Sequence, residues 1–546
     1  MTYLFAVSAA GSESTSYLPV NHRVYDFLER MDHLFYISGT YLGTRPLTRA
    51  EAARLLFSLK EKSHTLSTTD VEELACLRDE FKADFIERSG LVWDDRGPVE
   101  KLPGFLSGFL YRNRRNLFSS YGDGYSLFCD PIIVRKGTIG TLHGSSGDDN
   151  VYTASNGLRI RGTVGEHIGF FADVRDSKVW GSRDYPEKTA NTLPGIGFAS
   201  FKGDHAEFDE THAHITYSGG PFVIFYGRGQ NLWGRGKSST LGLSGYGAPY
   251  DMLRFETAFW RLKFVFFASE IEQYPPVAKF YYHFPGTAQD SVVVQKRLSG
   301  NRLELDLTDR INLGFYEAVV YGGRWDLSYL NPLMFLKGAE HANGDHDNAV
   351  MGMDFRIFVH RAHSIYGEFF IDDIYTTKLG TDWYGNKLAG QIGSYLVDPF
   401  GLFDTDMRVE YTRISPWVYT HRLPINTFTN YGDVMGHPMG PNSDEIFVEF
   451  CKRFSRRLHT SLAFSSRRHG NNPEGKNVGG DPLLGFKQGD SEKAFFLAGD
   501  VVRTRRVSFD VSYEVLWEFF VKFGYTYENM DGDGINIFRG SVGLNE

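Results

Sequence analysis

Three carboxylates in the segment YGEFFIDDI have the residue type that acid–base catalysis requires. A glycoside hydrolase needs two carboxyl groups that face each other across the scissile bond. In a strand, Asp372 and Asp373 point to opposite faces, and Glu368 and Asp372 lie about 13 Å apart on one face at a rise of 3.3 Å per residue. The spacing therefore favours structural carboxylates over a catalytic pair, and we do not expect an enzyme.

Residues 225–245, with the sequence FYGRGQNLWGRGKSSTLGLSG, resemble a phosphate-binding loop at Gly236-Lys237-Ser238. The motif G-x-x-x-x-G-K-[ST] requires a glycine five positions before Gly236, where this sequence has Asn231. Strand propensity, rather than the helix that a phosphate loop precedes, follows Ser239. The glycines instead predict a tightly bent chain, in which basic and aromatic side chains cluster.

Several histidines have spacings that suit metal ligands. His212 and His214 share a strand face, and His341 and His346 lie close together in EHANGDHDN. Neither pair has a carboxylate or cysteine partner at a recognisable spacing, so solvated or hydrogen-bonded histidines are the simpler interpretation. The 3 cysteines form no C-x-x-C motif. We expect no metal and no other cofactor.

The composition is that of a protein made of strands and turns. Aromatic residues make up 15% of the chain, with 45 Phe and 30 Tyr, and there are 59 Gly. The net charge of -9 offers no basic face for a phosphate backbone, so nucleic acid is not an expected partner. No apolar run is long enough for a membrane helix, which leaves a transmembrane barrel possible because its strands show only alternation.

The N-terminal part predicts a leader followed by helices. Residues 1–19 contain a short apolar run and small residues without a positive n-region, and we interpret them as a signal-peptide remnant. Residues 20–90 predict a small helical domain, in which NHRVYDFLERMDHLFYI has apolar residues at helical spacing. Two further helices begin at capping boxes, Thr48 with Glu51 and Thr69 with Glu72.

Residues 91–546 have a period of two. LRIRGTV and IGFFADVR predict a hairpin around the turn at Gly165, and similar alternation recurs to the end of the chain. Roughly 450 residues at about 22 to 28 per strand correspond to about 16 to 20 strands. Tight turns such as Ser218-Gly219-Gly220 contrast with a long loop predicted from Ser465, which is an outer-membrane pattern. A soluble sandwich would show the same alternation.

An ordered set of motifs resembles the capsule assembly protein Wzi family. The motifs are RGQNLWGRGKSSTLGLSGYGAPYDMLRFE, LGFYEAVVYGG with YLNPLMF, GDHDNAVMGMDFRI, IYGEFFIDDI and TNYGDVMGHPMGPNSDEIFVEF. The resemblance implies an all-β transmembrane barrel of about 18 antiparallel strands with a small N-terminal α-helical domain on the periplasmic side. It further implies a protein among outer-membrane lipids that binds capsular or other surface polysaccharide without catalysis. A closed barrel leaves no edge that demands a partner, so we expect a monomer. The family's Trp-Gly-Pro-Gly turn is here Trp233-Gly234-Arg235-Gly236.

The resemblance also implies residues that face the lumen or bind polysaccharide: Arg228, Trp233, Lys237, Ser239, Glu317, Asn331, Asn348, Glu368 and Asp373. Arg235, where the sequence departs from the family, is added because the glycines let the chain bend so that Arg235 clusters with these basic and aromatic residues. The long outer loops add Trp383 and Tyr384. Aromatic faces stack on sugar rings, and arginine, asparagine and carboxylates hydrogen-bond to hydroxyls or acidic substituents. Buried charges in a barrel also form structural ladders, so both roles stay open for each residue. A diffusion channel and a soluble glycan-active β protein are the alternative functions.

Overall fold

The computed structural model describes residues 15–59, 66–85, 115–140, 149–182, 192–275, 278–282 and 290–546. Within these ranges, 18 antiparallel strands form one closed barrel. The strands are β1 (Tyr125–Gly140), β2 (Asp149–Val164), β3 (Ile168–Gly181), β4 (His205–Gly219), β5 (Phe222–Gly229), β6 (Tyr250–Phe259), β7 (Leu262–Ile271), β8 (Lys296–Thr308), β9 (Ile311–Gly322), β10 (Asn348–His360), β11 (His363–Asp373), β12 (Lys387–Val397), β13 (Thr405–Ile414), β14 (Ser443–Arg453), β15 (Leu458–Asn471), β16 (Asp500–Leu516), β17 (Phe519–Met530) and β18 (Asp533–Leu544).

Sequential strands pair with their neighbours, and β18 pairs with β1 to close the barrel. The predicted hairpin around Gly165 is β2 and β3, in register from Val164 opposite Ile168. Two short strands extend the wall: Phe118–Gly122 pairs with β1, and Ser200–Lys202 pairs with β4. The expectation of a barrel rather than a sandwich is confirmed.

The outside of the barrel is apolar because each strand alternates. On β2, Leu158 and Val164 are exposed, as are Phe464 on β15 and Val507 and Phe509 on β16. Exposed apolar side chains on so many neighbouring strands form a belt of the kind that faces lipid. No helix in the described ranges is long and apolar enough to cross a membrane.

The two ends of the barrel differ in the length of their connections. At one end, here called the short-turn end, two residues connect β4 to β5, β6 to β7 and β10 to β11. At the other, the long-loop end, the connections include residues 230–249, 323–347, 415–442 and 472–499. The last of these was expected to begin at Ser465. That boundary is wrong, because β15 continues to Asn471 in register with β16.

Four α-helices lie in the described ranges: α1 (Val24–His33), α2 (Arg49–Ser58), α3 (Thr68–Glu80) and α4 (Leu336–Ala342). The first three share an apolar core, and a 3₁₀ turn, Lys82–Asp84, follows α3. Further 3₁₀ turns are Thr376–Lys378, Pro399–Gly401 and Pro424–Asn426. Outside the barrel wall, short strands form pairs: Thr44–Arg45 with Leu232–Trp233, Thr192–Leu193 with Gly197–Phe198, Ala278–Tyr282 with Asp290–Val293, and Thr429–Asn430 with Asp433–Val434.

The helix starts follow the capping expectation in one case and not in the other. Thr48 caps α2, since its hydroxyl accepts the Glu51 N–H at 3.1 Å. For α3 the predicted cap Thr69 is wrong: the chain enters the helix two residues earlier, and Ser67 accepts the Asp70 N–H at 3.0 Å. The first helix ends at His33, because Phe35 has a φ of 60° that a helix does not tolerate.

The helical domain lies against the short-turn end. Arg30 of α1 donates to Asp398 at 2.9 Å, in the connection between β12 and β13, and to Asp406 at 2.8 Å in β13. From the barrel, Arg453 donates to Asp70 of α3 at 3.0 Å. Arg30 is 1% exposed, so its guanidinium group is shielded from water. The helices are therefore held against the barrel at its short-turn end.

Candidate functional site

The connection between β5 and β6, residues 230–249, folds into the barrel, and we call it the lumenal loop. Trp233 in this loop has no exposed surface, and its ring lies 5.5 Å from Phe267 and 5.7 Å from Tyr316. The strand pair Leu232–Trp233 with Thr44–Arg45 joins it to the N-terminal region. The loop therefore links the barrel wall to the helical domain.

Backbone N–H groups of the lumenal loop bind a carboxylate of the wall at two points. At the first, Glu368 of β11 accepts from Leu241 N and Gly242 N, both at 2.9 Å. Tyr316 donates its hydroxyl to the same carboxylate at 2.6 Å. Three donors satisfy Glu368, which explains how a buried carboxylate is stable in this position.

At the second point, Glu410 of β13 accepts from Lys237 N at 2.5 Å and from Ser238 N at 2.8 Å. The Tyr366 hydroxyl donates to it at 2.5 Å. Successive backbone N–H groups form an anion-binding concavity, as they do around phosphates. The segment that resembles a phosphate loop thus does bind an anion, which is a carboxylate of its own protein.

The glycines of this turn are required by close approach. A Cβ on Gly236 would clash with the Ser239 carbonyl and with Gln391 of β12. Gly234 has a φ of 113°, which a side chain disfavours. The turn in which arginine replaces the family's proline is therefore held by glycine at two of its four positions.

Arg235 is buried within a network of charges. It donates to Glu304 of β8 at 3.1 Å and to Asn312 of β9 at 2.9 Å. Glu304 also accepts the Thr44 hydroxyl at 2.5 Å. Arg302, on the same strand as Glu304, donates to Asp354 at 2.6 Å. These side chains pair with one another, as in a structural ladder.

Most other residues proposed from the sequence also have partners inside the protein. Glu317 accepts from Asn301 at 2.9 Å, and Asn348 donates to the Asn426 carbonyl at 2.8 Å. The Ser239 carbonyl accepts from Gln391 at 3.0 Å. The remaining ion pairs join Lys237 to Asp26 at 3.8 Å and to Glu449 at 3.7 Å, and Asp373 to Lys337 and Lys387, both at 3.9 Å.

Arg228 and Asn331 do not face the lumen, contrary to expectation. Arg228 lies in register with Asp251 and shares the outward strand face of the exposed Tyr226. Strand alternation puts every even-numbered residue of β5 on that face. There Arg228 forms an ion pair with Asp251 at 2.5 Å. Asn331 is exposed in the connection of residues 323–347 and accepts from Leu333 N at 3.1 Å.

Trp383 and Tyr384 belong to an aromatic cluster at the long-loop end, and we call Tyr375, Trp383, Tyr384 and Phe486 the aromatic platform. Tyr384 stacks on Phe486 with ring centroids 3.7 Å apart, and Tyr375 meets Trp383 edge to face at 4.4 Å. The Lys378 ammonium lies 4.1 Å from the centre of the Trp383 ring. The sequence did not indicate Phe486, since about 100 residues separate it from Tyr384.

A cavity of about 1030 Å³ lies between α1 and the inner faces of strands from both ends of the barrel sequence. Basic side chains that line it include Lys136, Arg159, Arg175, Lys522 and Arg539. Sequence reasoning missed this space, because it depends on which strands face each other across the lumen.

The histidines have different surroundings from one another. His214 accepts the Tyr17 N–H at 3.0 Å and stacks on Phe171, so it is a structural residue. His341 lies with Glu340 and Asp345, whose ligand atoms are within 4.8 Å of one another. The expectation that His341 lacks a carboxylate neighbour is wrong, because a turn after α4 brings Asp345 back. Lys337 pairs with Glu340 at 3.0 Å.

Known proteins with a similar structure are also β-barrels. A solved structure of Wzi from Escherichia coli, described as an outer-membrane protein involved in group 1 capsule assembly and a carbohydrate-binding β-barrel, is similar to this chain with a TM-score of 0.59. The identity is 13%, and the match covers 97% of this chain and 99% of that one. This likeness shows the fold.

Acinetobacter baumannii OccAB1 matches with a TM-score of 0.42 and 10% identity, over 77% of this chain and 96% of that one. No curated protein sequence matches. The family model named capsule assembly protein Wzi matches residues 147–534, more than half of the chain. The chain therefore belongs to the capsule assembly protein Wzi family.

Proposed function

We propose that the protein is a non-catalytic outer-membrane barrel that binds capsular or other surface polysaccharide and assists its assembly or attachment at the cell surface. Family membership and the apolar belt support this proposal. Outer-membrane barrels place their short turns in the periplasm, so the helical domain, proposed to span residues 20–90, lies on that side. A closed barrel leaves no unpaired edge, which supports a monomer.

The aromatic platform is the observation that supports polysaccharide binding most directly. Its rings lie at the long-loop end, and Lys378 adds a positive charge beside Trp383. Aromatic faces pack on the C–H faces of sugars, and an ammonium group pairs with acidic substituents. By contrast, Trp233 is fully buried against other rings, and Arg235 and Glu368 have their partners within the protein, so we assign all three to the structure of the lumen.

The absence of catalysis is proposed from the same geometry. Glu368 accepts three hydrogen bonds, and Asp372 accepts the Tyr419 N–H at 2.5 Å. Both carboxylates are buried and bound by groups of their own protein, so neither is presented to a sugar. Neither residue has the free geometry that acid–base work on a sugar requires.

The test measures retention of host surface polysaccharide by purified protein in detergent. We expect the double variant W383A/Y384A to weaken retention about tenfold, because two stacking surfaces are lost. The matched control is Trp260→Ala, which removes an exposed tryptophan at the short-turn end. Equal retention by both variants and the native protein would remove the aromatic platform from the proposal. If the native protein retained no polysaccharide and gave steady conductance in planar bilayers, the proposed function would be that of a diffusion channel instead.

A further inference from the structure

Four arginines form a basic patch on the outside of the barrel at the long-loop end. We call them the rim patch: Arg413 on β13, Arg468 on β15, and Arg503 and Arg505 on β16. All four are exposed. On β16, Arg503 and Arg505 continue the face of the exposed Val507 and Phe509, because alternate residues share one side. The rim patch therefore starts where the apolar belt ends.

Strand register places three of these arginines in one row. Arg413 lies opposite Asp444, Asp444 lies opposite Arg468, and Arg468 lies opposite Arg503. Arg505 is two residues further along β16 on the same face. Side chains directly opposite each other have Cβ atoms about 5 Å apart. Four positive charges thus share a small area of wall.

Only one carboxylate in this row compensates the charge. Asp444 accepts from Arg468 at 2.9 and 2.5 Å, and Arg413 lies over the Phe496 ring at 3.9 Å. Within the described ranges, the Arg503 and Arg505 side chains have neither an ion pair nor a hydrogen bond. Like charges directly opposite each other destabilise a sheet, so this arrangement favours a bound anion.

The inward face of the same strands is different. Arg467 pairs with Glu445 at 3.1 Å, and Arg506 pairs with Glu528. Charge is therefore balanced on the lumen side and unbalanced on the outward side. If the strand ends were only rich in arginine, we would expect the arginines on both faces to be paired or unpaired to the same extent.

We propose that the rim patch binds the phosphate groups of a phosphorylated lipid headgroup in the outer leaflet. The inference rests on the outer-membrane placement proposed above. A lipid whose acyl chains contact Val507 and Phe464 has its headgroup at the next level along the wall, which is the level of Arg503 and Arg505. The planar guanidinium binds phosphate oxygens bidentately, and Arg is enriched where that geometry is needed.

The experiment uses the full chain, delipidated in detergent and examined by native mass spectrometry with added lipids. The probes are a diphosphorylated acylated glucosamine disaccharide, its dephosphorylated form, phosphatidylethanolamine and inorganic phosphate. We expect the native protein to prefer the diphosphorylated lipid, and the R503S/R505S variant to bind it about tenfold more weakly. The R503K/R505K variant should retain part of the binding, because lysine keeps the positive charge but cannot bind phosphate bidentately as a guanidinium does.

Arg261→Ser is the matched control, since Arg261 is an exposed arginine at the short-turn end that pairs with Asp309 at 2.8 Å. Heat-modifiable gel migration confirms that each variant folds. Equal binding of the phosphorylated and dephosphorylated lipids, or unchanged binding by R503S/R505S, would overturn the inference. The inference would also be overturned if R503S/R505S lost polysaccharide retention but kept lipid binding, because the rim patch would then bind the glycan. Membrane fractionation tests the outer-membrane placement separately.

Discussion

Replacing Glu368 by alanine tests whether the wall carboxylates hold the lumenal loop in place. The substitution removes the acceptor of Leu241 N, Gly242 N and the Tyr316 hydroxyl, all of which are buried. An unsatisfied buried donor costs about 1–3 kcal/mol. Even the lower end of this range for three donors gives about 3 kcal/mol, which raises local opening of the loop more than about 100-fold.

The assay is amide hydrogen exchange of residues 232–244 in the detergent-solubilised protein. Exchange of these amides should accelerate while the barrel strands keep their protection. In the Glu368→Gln variant, these amides should exchange faster than in the native protein and more slowly than in Glu368→Ala, because glutamine keeps one acceptor oxygen. Asp510→Ala is the matched control, since it removes a strand carboxylate whose partner is Arg539 at 3.3 Å. Unchanged exchange in Glu368→Ala would refute the view that this carboxylate anchors the loop.

Three further predictions concern the helical domain and the turn. Arg30→Gln leaves several carboxylates without their cation, so it should destabilise docking of the helices against the barrel by about 3–5 kcal/mol. Limited proteolysis within residues 66–85 should then be faster than in the native protein. Native-like resistance to the protease would contradict this prediction. Burial lowers the pKa of His33 to about 4. Since the unfolded chain then binds the proton more readily, the contribution of His33 to stability should fall as pH drops from about 6.5 to 4, by roughly 3 kcal/mol at most, and His33→Gln should make that part of a thermal-melting pH profile less steep. Gly236→Ala should accelerate exchange of the lumenal loop through the clash with Ser239, whereas Gly540→Ala, which meets open space, should not.

Family motifs and strand alternation were sufficient to predict the barrel. Alternation in LRIRGTV and IGFFADVR predicted a hairpin that the structure confirms as β2 and β3. The N-cap at Thr48 was readable, because the hydroxyl and the N–H that it accepts are three residues apart in the chain. The cap of α3 was not, since Ser67 and Thr69 offer the same hydroxyl chemistry and the sequence does not decide between them.

The candidate residues were harder to interpret than the fold. The sequence identified Glu368 and Arg235 as unusual positions, but their hydrogen-bond partners, such as Leu241 and Glu304, are far away in the chain. Arg228 was expected in the lumen because the family resemblance implied a lumen-facing residue at that position. The register of β5 with β6 puts it outside, and a shift of one residue in that register would have reversed its face.

The sequence by itself determined the barrel class, the helical N-terminal region and the requirement for glycine near Trp233, because these depend on periodicity and on residue type within a few positions. Tertiary structure alone decided which carboxylates the lumenal loop binds, which aromatic rings meet at the long-loop end, and which arginines lack a counter-ion. Those contacts join residues that are far apart in the chain, and strand order and register around a closed barrel bring them together.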